Sequence, residues 1–305
     1  METNKTRIGL IGVGLMGHGI AANILRHGHS LALLEHPGNQ PVDDLLAAGA
    51  TTVGTAAALA RGADVVILCV TGSPQVEDVL FRQAGLLEGL RPGGIVIDCS
   101  TAIPSSTIKI ARAVEQAGGL FLDAPMTRTP KEAAAGKLNL IVGGDRAVYE
   151  RCLPILQCYA ENIVHAGPAG SGHQLKLLHN FVSLGFSTVL AEAAACARLA
   201  GVDAQVFSDV LSNGGGGGVV LNRLRPYIEA DDPSGFRFSI SNALKDMGYY
   251  QTMAEEAGAP HGAAAAIAQV YADADGAGLG QAAVPELISF LAGPANAPAP
   301  GRGES

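Results

Sequence analysis

The sequence predicts an α/β domain followed by an all-α domain. Three observations carry that expectation: short, wholly apolar runs alternate with helical patterns up to residue 166, a glycine-rich turn joins the first run to the first helix, and helical patterns alone follow Gly167. Apolar strands separated by helices imply a parallel sheet covered on both faces. A chain of 305 residues, 48% of them apolar, can bury a substantial core and is long enough to divide in two. The expected division is an α/β domain over 1–166, a helical domain over 167–292 that begins with a long interdomain helix, and a Pro-, Ala- and Gly-rich tail over 293–305, read as disordered.

Residues 7–11 form the first strand, followed by Gly12-Val13-Gly14-Leu15-Met16-Gly17 and a helical pattern through Arg26 that stops at Gly28, a natural helix C-cap. Strand, glycine turn and helix in that order form a dinucleotide-binding fingerprint, which makes the first domain Rossmann-type. The next strand, 30–34, ends at Glu35, about where an acid hydrogen-bonds an adenosine ribose. A carboxylate there repels a 2′-phosphate, and no arginine follows in His36-Pro37-Gly38, so NAD is expected over NADP. A solvated strand-end charge is the alternative role for Glu35.

Strands are then expected at 64–70, 94–98, 120–123, 138–142 and 163–165, with helices at 56–61, 74–81, 104–117 and 147–156. Ligands of such sheets bind beyond the C-terminal strand ends, which selects four loops: 12–17, 70–74, 100–104 and 124–130. A net charge of −8 with no basic cluster argues against nucleic acid and anionic lipid as partners. The N-terminus is polar and lacks an apolar signal core, and no apolar run of spanning length is free of glycine and charge, so a soluble cytoplasmic protein is expected. Cys69, Cys99, Cys152, Cys158 and Cys196 form no Cys-x-x-Cys pair; they are read as buried free thiols, with neither disulfide nor metal roles.

The second domain opens with Gly167-Pro-Ala-Gly-Ser-Gly-His-Gln-Leu-Lys-Leu-Leu-His-Asn180, which runs into one long helix over 171–199. Lys176 and Asn180, four residues apart, lie on one face of it. An ammonium beside a carboxamide is suited to handling the oxygen of an alcohol or aldehyde next to a nicotinamide. The helix is apolar all round and must be buried, which suggests a partner subunit wrapping it. Further helices are expected at 204–211, 219–228, 240–256, 262–274 and 283–291.

Taken together these motifs resemble the β-hydroxyacid dehydrogenase family from Ile8 to about Leu291. Gly9 to Gly17 is similar to the family's cofactor loop, and Cys69-Val70-Thr71-Gly-Ser-Pro74 to its second cofactor loop. Asp98-Cys-Ser100-Thr101 resembles the strand-end motif for substrate and cofactor, Asp123-Ala-Pro125 with Ala133-Ala-Ala-Gly136 the substrate signature, and Gly170-Ser-Gly172 with Lys176 and Asn180 the catalytic signature. Lys245-Asp246 looks like the pair that reaches the cofactor from the second domain. The resemblance implies hydride transfer between a small hydroxyacid and NAD, Lys176 as general acid/base, Asn180 orienting the substrate, Ser100 binding substrate, Val70, Thr71, Pro74, Thr101 and Lys245 contacting cofactor, and dimers or tetramers.

Where many members have glycines after Asp-Ala-Pro, this sequence has Met126-Thr127-Arg128-Thr129-Pro-Lys131. Arg128 supplies a bidentate fork for a carboxylate, sulfonate or phosphonate, and the Thr127–Thr129 segment is similar to one in sulfolactaldehyde reductases of the family. A substrate with a strongly acidic terminus follows; pairing of Arg128 with a surface acid is the alternative. His179, where many members carry asparagine, is expected to pack. Gly214 to Gly218 either admits a larger substrate or forms a hinge. Two alternatives are an imine reductase on the same scaffold, a group that usually lacks the lysine matched to Lys176, and a cofactor-binding interaction module without catalysis.

Overall fold

The computed structural model describes residues 5–293. Its first unit alternates β1 (Arg7–Ile11), α1 (Leu15–Arg26), β2 (Ser30–Leu34), α2 (Asp43–Ala47), β3 (Thr51–Val53), α3 (Ala56–Gly62), β4 (Val65–Leu68), α4 (Ser73–Phe81), α5 (Leu86–Gly89), β5 (Ile95–Asp98), α6 (Pro104–Gln116) and β6 (Leu120–Asp123). It continues through β7 (Met126–Thr127), α7 (Pro130–Ala134), β8 (Leu138–Gly144), α8 (Arg146–Leu156) and β9 (Ala160–Gly167). The sheet order is β3-β2-β1-β4-β5-β6-β8-β7, with β9 on β8. Period-two alternation sends neighbouring residues to opposite faces. Ile8, Leu10, Val65, Ile67, Ile95 and Ile97 join a core with Ile20, Ile24 and Tyr149. Ile11, Val66, Leu68 and Val96 meet Leu59, Val76, Leu80 and Ile110 on the other face. Burying each such side chain stabilises the fold by about 1.5–3 kcal/mol.

The expectation of a parallel sheet holds from β3 to β6 and fails at β8, which runs antiparallel to β6 and to β7. The physical reason lies between them. The stretch after β6 is fastened to α1, where Gly19 has no room for a Cβ against the backbone of Ala133 and Asn23 Nδ2 donates to Ala133 O at 2.9 Å. A chain held there by a five-residue helix returns in the opposite direction, and the alternating Leu138-Asn139-Leu140 fits that mixed position better than a central parallel strand.

The long helix α9 (Ser171–Leu199) is continuous, and the two compact units divide inside it, between Lys176 and Leu177. The second unit adds α10 (Ala204–Ser212), α11 (Val219–Ala230), α12 (Ile240–Glu256), α13 (Gly262–Ala274) and α14 (Leu287–Ala292). Leu184, Leu190, Leu221, Leu224, Met247 and Tyr271 fill its core, and Phe181 stacks on Tyr250 at 4.2 Å. By length and composition α9 could cross a membrane, yet half of its most apolar window is buried inside the protein.

Two expectations are corrected here. Within the single chain α9 is not buried all round, because Leu175, Leu178, Val182, Val189 and Leu199 are exposed. Nor are all five cysteines buried: Cys99, Cys152 and Cys158 are, Cys69 is half-buried, and Cys196 is exposed on α9. The tail expected over 293–305 lies, beyond Gly293, outside the described residues. In the polyglycine turn only Gly218, which precedes α11 at φ 134°, has a left-handed backbone.

Candidate active site

The glycine turn after β1 is a cradle that side chains would fill. A Cβ on Gly12, whose φ is 95°, would strike the carbonyl of Cys69, and one on Gly17 would strike that of Gly12; around Gly14 there is open space. Helix α1 starts at Gly14 with neither a side-chain cap nor an acid in its first turn, which leaves its positive end for an anion such as a pyrophosphate. Glu35 is exposed just past β2 and accepts from Thr52 Oγ1 at 2.7 Å. It lines a groove of about 590 Å³ with His36, Asn39, Val42 and Thr52. Asn39 braces this groove to the glycine turn by accepting from Val13 N at 3.1 Å and donating to Leu34 O at 2.9 Å. These features fit the adenosine half of a dinucleotide at the place the fingerprint predicts.

The next loops are stitched together. Val70 N donates to Ser100 Oγ at 3.1 Å, and Ile103 N donates to Ser73 Oγ at 2.8 Å, joining the turn that carries Thr71 and Pro74 to the one that carries Ser100 and Thr101. Ser100 N donates to the buried Asp98 Oδ1 at 2.9 Å. Burial pushes the Asp98 carboxyl above the usual carboxylate range, and with Asp98 nearby it pushes the Cys69 thiol up to about 12.

At the end of β6 the buried Asp123 accepts from Gly170 N at 2.8 Å and from His173 N at 2.9 Å, holding the first turn of α9. Glycine is required at 143 and 172, since a Cβ at either would lie against the Asp123 carboxylate. His173 is fully buried; its Nε2 lies 3.0 Å from Ser100 O and its Nδ1 2.8 Å from Thr107 Oγ1. Lys176 follows one turn later and is half-buried. Sequence reasoning quoted Asp123 without giving it a role and missed His173, Asn39 and Thr52. Only the polar type of Asp123 and His173 beside glycines hinted at the first two.

The Thr127–Thr129 segment is engaged with its own surroundings. Thr127 Oγ1 accepts from Asn139 Nδ2 at 3.0 Å, and Thr129 donates to Glu132 through N at 3.0 Å and through Oγ1 at 2.5 Å. Arg128, at φ 82°, gives Nη1 to Glu161 Oε2 at 2.6 Å and to Lys137 O at 2.5 Å. The surface-acid alternative is therefore the arrangement seen. In the second unit Asn180 is buried and donates to Asp246 Oδ2 at 2.6 Å, and Lys245 Nζ stands 3.2 Å from Asp246 Oδ1. His179, expected to pack, is exposed instead, with Nδ1 at 3.0 Å from Asn180 Oδ1. Among the described residues no group of three or more His, Cys, Asp or Glu gathers to hold a metal ion.

A doubly wound sheet with a glycine cradle at its crossover, followed by a helical unit, defines the class of dinucleotide-binding proteins. Residues 7–167 match the family model described as the NAD binding domain of 6-phosphogluconate dehydrogenase, and residues 170–291 the one described as NAD-binding of NADP-dependent 3-hydroxyisobutyrate dehydrogenase. The chain belongs to the β-hydroxyacid dehydrogenase family, oxidoreductases acting on CH–OH groups. It is 34% identical over 257 residues to the NAD-dependent L-serine dehydrogenase of Pseudomonas aeruginosa, covering 82% of this chain and 85% of that one. It is 31% identical over 289 residues to the 3-sulfolactaldehyde reductase of Escherichia coli, covering 94% and 97%. The structure of 3-hydroxyisobutyrate dehydrogenase from Mycobacterium tuberculosis with L-serine superposes with a TM-score of 0.84 at 27% identity, over 95% of this chain and 100% of that one.

Proposed function

We propose that this chain is an NAD-dependent dehydrogenase or reductase that interconverts a small 3-hydroxyacid and its semialdehyde, with Lys176 as general acid/base. The observation that carries this is the contact of His173 Nε2 with Ser100 O at 3.0 Å. Side chains at i and i+3 are neighbours on a helix, which supports assigning Lys176 to the same end of the sheet as the Ser100 loop, the C-terminal strand ends where such folds bind ligands.

A bound nicotinamide supplies the hydride acceptor in oxidation and the donor in reduction. Lys176 takes the hydroxyl proton in the first direction and returns one to the carbonyl oxygen in the second. Asn180, one turn further on, orients the same oxygen. The Ser100 hydroxyl, which accepts from Val70 N, is the proposed contact for a substrate carboxylate. Gly12 to Gly17, Val70, Thr71, Pro74, Thr101 and Lys245 hold the cofactor, and Glu35 with Thr52 favours a free ribose hydroxyl. Thr127 to Thr129 bind a second anionic group when the Arg128 fork exchanges Glu161 for it. The relatives' names, L-serine dehydrogenase and 3-sulfolactaldehyde reductase, support a substrate of this size and acidity. The exposed row on α9 is the face through which copies would pair in a soluble cytoplasmic dimer or tetramer.

The test is a panel of 3-hydroxyisobutyrate, glycerate, L-serine, 2,3-dihydroxypropane-1-sulfonate, tartronate semialdehyde and a cyclic imine, run with the NAD and NADP couples. Turnover of an acid or semialdehyde is expected, with kcat lowered about 10²–10⁴-fold in Lys176→Ala. Glu35→Ala should lose about tenfold in kcat/KM for NAD, the loss of one charged hydrogen bond. Activity on the imine alone, or an unaffected Lys176→Ala, would overturn the proposal.

A further inference from the structure

We infer that His173 is a positioning residue for this reaction, acting through its Nε2–H on the carbonyl of Ser100; the inference rests on the function proposed above. Fully buried, His173 touches no substrate, so its effect must pass through another group. A carbonyl oxygen only accepts, so the nitrogen 3.0 Å from Ser100 O carries the proton. The other nitrogen meets Thr107 Oγ1 at 2.8 Å, a hydroxyl that also lies 3.1 Å from Ile103 O, and Asp123 Oδ2 at 3.8 Å.

The two ring nitrogens therefore do different work. Nδ1 anchors the ring to α6, whereas Nε2 fixes the peptide between Ser100 and Thr101. In a trans peptide the carbonyl and the following N–H point in opposite directions, so holding Ser100 O also sets the direction of Thr101 N. Asp123 holds the His173 main chain at 2.9 Å, which ties this peptide to the same turn of α9 from which Lys176 follows. Proton donor and substrate loop are thus held in one register by a single side chain, and small misplacements of such groups are costly to rate.

The nitrogens can be separated by substitution. A glutamine amide ends where imidazole Nε2 ends, and an asparagine amide ends where Nδ1 ends. His173→Gln is expected to retain the Ser100 contact and keep kcat/KM within about threefold of the parent. His173→Asn should keep the Thr107 contact, lose Ser100 and fall at least about tenfold in kcat/KM for the best acid of the panel, a loss of the size expected for one hydrogen bond. Thr107→Val, which leaves Nε2 untouched, should behave like His173→Gln.

Hydrogen–deuterium exchange over residues 99–103 gives a readout independent of turnover: faster exchange is expected in His173→Asn and not in His173→Gln. Equal kinetics and equal exchange in the two variants, with melting temperatures within a few degrees of each other, would reduce His173 to packing and overturn the inference. Lys176→Ala measured alongside separates the two failures. If it stays active, the acid/base assignment fails whatever His173 does; if it is inactive while the Gln and Asn variants coincide, the His173 inference alone fails.

Discussion

The carboxamide of Asn180 donates to Asp246 Oδ2 at 2.6 Å, and both side chains are buried. The other carboxylate oxygen of Asp246 makes no hydrogen bond among the described residues but lies 3.2 Å from Lys245 Nζ, so one acid orients Asn180 and pairs in charge with Lys245. Asp246→Ala leaves the Asn180 amide buried without this acceptor, a loss of about 1–3 kcal/mol. We expect lower thermal stability together with a kcat reduced at least about tenfold, the scale of one lost positioning hydrogen bond. Asp246→Asn, which can still accept from Asn180, should melt close to the parent. Full kcat in Asp246→Ala would show that Asn180 needs no orientation.

Arg128 combines a left-handed backbone with an ion pair to Glu161, and the pair holds the Glu161 carboxyl below its usual range. Arg128→Gly removes the fork and suits the backbone, whereas Arg128→Ala removes it and retains the strain. The glycine variant should therefore be the more stable by about 1 kcal/mol. If Arg128 meets the substrate, both variants raise KM at least about tenfold for a sulfonated or dicarboxylic substrate and little for 3-hydroxyisobutyrate, since a charged hydrogen bond is lost only with the former. A preference unchanged in both would assign Arg128 to bracing β9 alone.

Two aspartates should move stability in opposite directions with pH. Asp64 is held well below the carboxylate range chiefly by hydrogen bonding from Arg7, with Arg91 contributing. A depressed folded pKa stabilises above the unfolded value, about pH 4, and that benefit is lost as pH falls below it. Asp98 is raised by burial, and its Oδ2 has no hydrogen-bond partner. Its contribution is full below about pH 4 and is lost as pH rises through the raised folded value. Asp64→Asn should thus melt lower than the parent at pH 7, modestly because the pair is exposed, with the gap closing toward pH 3. Asp98→Asn should melt as high or higher at pH 8 and show no gain at pH 4. Melting curves across this range decide the matter; parallel profiles for parent and both variants would refute both assignments.

The cofactor half of the site was legible because its chemistry is local. The order of strand, Gly12 to Gly17 and helix is written in consecutive residues, and Gly12 and Gly17 answer to backbone groups one strand over or a few residues away. Arg128 shows the opposite case. Its residue type announces an anion partner but not which one, and Glu161 lies 33 residues further along the chain.

The sequence by itself determined the α/β-then-helical architecture, the glycine cradle and the placing of Lys176 and Asn180 on one helix face, because these follow from periodicity and from steric limits within short segments. Tertiary structure alone decided the reversal at β8, the exposed row on α9 and the clamp of Asp123 and His173 on the first turn of that helix. Those contacts join residues 47 to 73 positions apart. No local propensity encodes such pairings; they exist only once the sheet has brought the ends of β5 and β6 to the start of α9.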